Sequence, residues 1–143
     1  MSSLDAIAVK VEGVAPAAAE AHNAVPLLHE IRHALLDLAE TGNATIIDLS
    51  AIPFGPGDRN KLFEALGEGE VSARVNTLGE TQVNETRYPG VWIVRHYSPA
   101  GDPLASHIEV ARLPSMLTTP EGDLRDAAEQ LAADLDKDST DNS

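Results

Sequence analysis

The sequence predicts an α+β fold in a single domain, a mostly antiparallel sheet with helices packed on it. Three observations carry this. Two punctuated helical stretches, near residues 24–40 and 58–66, occupy the first half of the chain. Segments of period two then follow one another at 70–76, 81–87, 91–97 and 104–113. Turn residues separate those segments, so successive strands fall beside one another rather than crossing over.

The elements follow in order. DAIAVKV (5–11) sets Ile7, Val9 and Val11 on one face, as a strand does, and GVAPAAAEAHN (13–23) reads as a linker. In the helix at 24–40, Asn23 suits the cap, Pro26 the first turn and Gly42 the stop. TIIDLS (45–50) is the short apolar run of a buried strand. AIPFGPGD breaks it, and Gly57 or Asp58 caps the helix at 58–66, whose stripe is Leu62, Phe63 and Leu66. A phosphate loop would stand where GPGD does, but neither GxGxxG nor GxxxxGK[ST] is present, so a turn with a helix cap is the reading. If SPAGDP closes a hairpin pairing Tyr97 with Leu104, then Trp92 faces Glu109 and Val94 faces His107. Val91, Ile93, Ile108 and Val110 then make the core face, and Trp92, His96, His107 and Glu109 share a half-exposed one. Finally, Leu124, Ala128, Leu131 and Leu135 form one stripe of a helix at 123–135. The organisation is an N-terminal strand and linker (1–23), the α+β domain (24–118), an acidic helix (119–136) and a disordered tail (137–143).

Composition narrows the function. Hydrophobic residues make up 43% of the 143, enough for a core, but aromatics are only 3%, so Leu, Ile, Val and Ala must build it. Asp and Glu total 23 against 10 Lys and Arg, a net charge of −13. Such a surface repels phosphate backbones, which argues against nucleic acid and anionic membranes and suits a basic partner segment. Part of this is local, because residues 121–143 carry eight acids and two bases. No apolar run approaches the roughly 18 residues of a membrane span, and no secretory signal is visible, so a cytoplasmic protein is expected. With no cysteine, thiolate metal sites, disulfides and thiol nucleophiles are excluded.

HEIRH (29–33) matches the zinc-peptidase pattern HExxH. Two histidines four apart share a helix face, and the intervening Glu30 is placed to act as general base on metal-bound water. On a helical wheel, however, Leu27, Ile31, Ala34, Leu35 and Leu38 gather in one arc with Leu28 at its edge. His29 and His33 point away from that arc, beside Asp37 and Glu40. The extended motif needs Gly and His where Leu36 and Ala39 stand, so no third ligand is in view. A solvated helix face is the plainer reading. No nucleophile elbow is present either. No catalytic residue and no cofactor are therefore assigned, and His29 with His33 remains the alternative metal pair.

Five stretches, taken in order and spacing, resemble one family. They are LLHEIRHAL (27–35), the run from TG through TIIDLSAIPFGPGD (41–58), LGEGEVSA (66–73), ETRYPGVW (85–92) and HIEVARLP (107–114). On these the chain is similar to the HupH/HyaF family of hydrogenase expression/formation proteins, over about residues 24–118. The resemblance implies a non-enzymatic accessory or chaperone role in maturing [NiFe] hydrogenase, acting on its iron–sulfur small subunit. It also implies a thioredoxin-like partner protein. Many members are about twice as long, so this chain corresponds to their C-terminal region and a homodimer is a further expectation. The partner-contact candidates are His29, Glu30, Arg32 and His33 on the first helix, then Glu70, Glu85, Arg87, Trp92 and Glu109. Two other readings stand beside this one: a zinc-dependent hydrolase built on HEIRH, and a structural dimerisation module using the face around Trp92.

Overall fold

The computed structural model describes residues 23–141. The expected strand at 5–11 and nearly all of its linker lie outside the described residues, as do the last two residues of the tail. The described residues divide into two compact units, the first ending at Arg112 and the second beginning at Leu113.

The first unit follows the predicted order closely. Helix α1 spans Ala24–Thr41, strand β1 Thr45–Asp48, and helix α2 Asp58–Leu66. Strands β2 (Ser72–Asn76), β3 (Glu80–Glu85), β4 (Val91–Tyr97) and β5 (Pro103–Val110) complete it. The sheet runs β1-β5-β4-β3-β2 with every pairing antiparallel. A fold of helices on an antiparallel sheet is therefore what the sequence builds.

The core lies between the helices and one sheet face. Leu27, Ile31, Ala34 and Leu38 of α1 and Leu62 and Leu66 of α2 meet Ile47, Val91, Ile93, Ile108 and Val110. Alternation does the sorting, since residues two apart on a strand share a face. The register places Trp92 opposite Glu109 and Val94 opposite His107, as the hairpin argument requires. At its closed end the register shifts. Tyr97 pairs with Pro103 rather than Leu104, across an irregularity between His96 and Tyr97.

Several local expectations change. Asn23 occupies the cap position of α1, but its side chain makes no capping bond; its amide donates to the Pro53 carbonyl instead. The Asp58 carboxylate ties down the residue before α1 instead, taking the Asn23 N–H at 3.0 Å and the Gly55 N–H at 3.0 Å. Gly42 closes α1 in the left-handed region, at φ 80°, where its N–H reaches the Leu38 carbonyl. Strand β1 is shorter than TIIDLS, because Asp48 accepts from Ser50 and turns the chain into a 3₁₀ segment at Leu49–Ala51.

The second unit holds a 3₁₀ turn at Ser115–Leu117 and helix α3, Glu121–Asp141. That helix corrects two boundaries, since it reaches into the expected disordered tail and begins after the expected 119. Its apolar stripe ends at Leu135, but the helix continues to Asp141, and the Thr140 side chain donates from Oγ1 to the Asp136 carbonyl at 2.8 Å. Leu124, Leu131 and Leu135 are exposed along it. No helix among the described residues is long and apolar enough to cross a membrane.

Candidate functional site

Helix α1 carries more apolar surface than one packing stripe uses. Leu27, Ile31, Ala34 and Leu38 enter the core, while Leu28 and Leu35 stay half-buried beside it. These two are seven residues apart, about two turns along one face. Val25 lies on the same side and is 47% exposed. Ala65 and Leu66 of α2 and the Tyr88 ring from the β3–β4 turn form the facing wall. Together they enclose a groove of about 390 Å³, whose remaining α1 lining includes His29 and Arg32.

The turn that carries Tyr88 is firmly tied. The Arg87 N–H donates to the Leu66 carbonyl at 2.8 Å, and the Thr86 N–H to the Val91 carbonyl at 2.9 Å. The Arg87 guanidinium lies 5.4 Å from the centre of the Tyr88 ring and donates to its hydroxyl at 3.3 Å. Gly90, at φ 93°, completes the turn; a Cβ there would stand 3.2 Å from the Leu35 side chain. The groove is thus an apolar trough with Arg32 and Arg87 at its rim.

The sequence-based candidates distribute as follows. His29 and Arg32 line the groove, and Arg87 braces its wall. His29 is exposed, as the helical wheel requires, and it also borders the groove beside Leu28. Glu30 and His33 are exposed and do not line it. Among the described residues no group of three or more His, Asp or Glu side chains is placed to hold a metal ion. Glu70 is exposed in the turn before β2.

Glu85 belongs to a second cavity, of about 530 Å³, between α2 and the outer strands. Its floor is the cross-strand row Ile93–Asn84–Ser72, and Glu64, Glu68 and Arg95 also line it. The Arg95 guanidinium is stacked 4.9 Å from the Phe63 ring centre. Gly69 lets this corner close, since a Cβ there would strike the Thr86 carbonyl oxygen. Neither cavity was foreseen. The signals for them were the surplus leucines at 28 and 35 and the glycine–glutamate alternation of LGEGE.

Trp92 and Glu109 differ most from expectation. They were placed on a half-exposed face, yet Trp92 is 5% and Glu109 3% exposed. The indole Nε1 donates to the Ala111 carbonyl at 3.1 Å. Glu109 Oε1 lies 3.5 Å from His107 Nε2, the His96 and His107 rings are 5.7 Å apart, and His96 Nδ1 shares a hydrogen bond with Thr81 Oγ1 at 3.0 Å. Trp92 and Glu109 are thus buried in a polar network, while His96 and His107 stay half-exposed as expected.

The model of the HupH hydrogenase expression protein, C-terminal conserved region, matches residues 21–137. The chain belongs to this family. The chain is 34% identical over 111 residues to the hydrogenase expression/formation protein HoxQ of Azotobacter vinelandii, covering 76% of this chain and 39% of that protein. It is 32% identical over 116 residues to HupH of Rhizobium leguminosarum bv. viciae, covering 81% and 41%. The hydrogenase-1 operon protein HyaF of Escherichia coli K12 is 29% identical over 114 residues, covering 77% and 38%. The HupH region described here thus spans about two fifths of the length of these relatives. Among solved structures, the hydrogenase expression protein HupH from Thiobacillus denitrificans is 40% identical, with a TM-score of 0.79 over 82% of this chain and 98% of that one.

Proposed function

We propose that this HupH-family chain is a non-enzymatic accessory factor in [NiFe] hydrogenase maturation, and that its client is the iron–sulfur small subunit. The α1–α2 groove is the surface offered to that client. One observation supports this above others. Two of the stretches that carry the family resemblance, LLHEIRHAL and ETRYPGVW, supply Leu28, His29, Arg32, Leu35 and Tyr88 to the groove. Packing alone would turn such residues inward. An apolar trough with cationic edges suits a chaperone, which needs complementarity rather than a nucleophile. A thioredoxin-like partner then acts beside it, on another surface of the client.

Co-expression with the small subunit tests the reading. The wild-type chain should co-purify with it, and Leu28→Glu with Leu35→Glu should abolish this while far-UV circular dichroism stays unchanged. Co-purification that survives both substitutions would remove the groove from the account. Turnover lost in Glu30→Gln alone would replace the accessory role with a hydrolase.

A further inference from the structure

Strand β2 is the outermost strand of the sheet on its side, and among the described residues no strand pairs with its outer edge. The phase of its hydrogen bonds is fixed. The Glu85 N–H donates to the Val71 carbonyl at 2.9 Å, and Ala73 and Val75 stand opposite Val83 and Thr81. In an antiparallel ladder, alternate residues bond the neighbour. Val71, Ala73 and Val75 therefore face β3, and the N–H and C=O groups of Ser72, Arg74 and Asn76 face outward. All three residues are exposed.

Such an edge is a template for another strand unless it is guarded. Proline, a bulge or an uncompensated charge are the usual guards. Within Ser72–Asn76 there is no proline, and the one charge, Arg74, lies 3.3 Å from Glu80 on the adjacent strand. The opposite edge, β1, is only four residues long.

Beside the open edge lies the cavity floored by Ile93, Asn84 and Ser72. A strand added to β2 extends that row, so its residue opposite Ser72 projects over the same face. Glu64 and Glu68 line that space from the helix side, and the one guanidinium there, of Arg95, is engaged with Phe63. A net charge of −13 over the whole chain acts in the same sense at longer range. The α1–α2 groove takes something else, because its apolar walls leave an extended backbone unpaired.

We propose that the outer edge of β2 receives an extended, basic segment of a partner protein. The segment adds one strand to the sheet, with a lysine or arginine opposite Ser72 directed at Glu64 and Glu68. Backbone bonds supply the affinity and the carboxylates select the charge.

The test titrates the full chain with a fluorescent peptide in which lysine alternates with valine, read by anisotropy. Two control peptides carry glutamate for lysine, or N-methyl groups on alternate backbone nitrogens. The basic peptide should bind in a salt-sensitive manner, the glutamate peptide should not, and the N-methylated peptide should bind at least about tenfold more weakly. Arg74→Pro removes an outward N–H while sparing the β2–β3 bonds, so it should weaken binding likewise, and Arg74→Ala should not. Glu64→Gln with Glu68→Gln should lower the preference for the basic peptide. Equal binding of the N-methylated and parent peptides would overturn the proposal, as would failure of the basic peptide to bind. If Arg74→Pro misfolds, the N-methylated peptide against the wild-type chain decides. The groove variants Leu28→Glu and Leu35→Glu should leave this titration unchanged, which separates it from the small-subunit test.

Discussion

The Asp58 carboxylate accepts the backbone N–H of Asn23, 35 residues earlier in the chain, at 3.0 Å. The same oxygen takes the Gly55 N–H, and Asp58 is only 6% exposed. One side chain thereby fixes the start of α1, the loop before α2 and the first turn of α2. Asp58→Ala leaves two amide donors without this acceptor and should cost about 2–4 kcal/mol. Asp58→Asn keeps an acceptor and should cost less. Urea denaturation of both variants checks the order.

Asp48 gives the pH dependence a sign. The Ser50 hydroxyl, 2.6 Å from its carboxylate, lowers its pKa first, then the Ser50 N–H at 3.0 Å, with His107 adding to both. A carboxyl lowered by folding stabilises fully above its unfolded value, roughly 3.9. That contribution is lost as pH falls through the lowered folded value. A carbon-detected NMR titration should find the Asp48 midpoint below the ordinary aspartate range. Ser50→Ala should move it upward, and an unmoved midpoint would contradict the assignment of cause.

Gly69 is required by closeness rather than by backbone freedom. A Cβ there would meet the Thr86 carbonyl oxygen and the Glu85 side chain. Gly69→Ala should destabilise by roughly 1–3 kcal/mol, the usual range for forced overpacking. Gly122→Ala, where the added methyl meets nothing within 4 Å, is the control. Comparable melting temperatures for the two variants would show that the corner relaxes freely.

Trp92 is the chain's single tryptophan, so its fluorescence reports one place. Buried and bonded to the Ala111 carbonyl, it should emit as a shielded indole and resist acrylamide quenching. Both properties should persist on dilution. Emission that becomes exposed as concentration falls would restore the dimer reading of this face. Trp92→Phe should cost about 1–2 kcal/mol beyond its packing loss, through the unsatisfied carbonyl.

What the sequence disclosed followed from strong local signals. Gly42 stops α1 where expected, and the hairpin closed by SPAGDP sets Trp92 against Glu109. Register failed at Tyr97, because the pairing shifts by one residue at a local irregularity, which alternation within either strand does not reveal. The groove beside the exposed His29 was missed for a different reason. A wheel shows which residues share an arc, but not that an arc serves two neighbours, the sheet on one flank and a groove on the other. Burial of Trp92 was equally hidden, since period two assigns a residue to a face and says nothing of what closes that face. The site is legible only once Tyr88, 60 residues after Leu28 in the chain, is seen across the trough from α1.

The strand order carries a consequence for synthesis. β2, β3 and β4 each pair with their successor, but β1 pairs with β5. The surface against which α1 and α2 bury their leucines is therefore incomplete until Val110 has been made. Emerging from a ribosome, the segment 24–66 waits with its apolar side uncovered while the meander is translated. The accessory protein itself passes through a stage in which it presents unburied leucines to the cell, and the arrival of one terminal strand ends that stage.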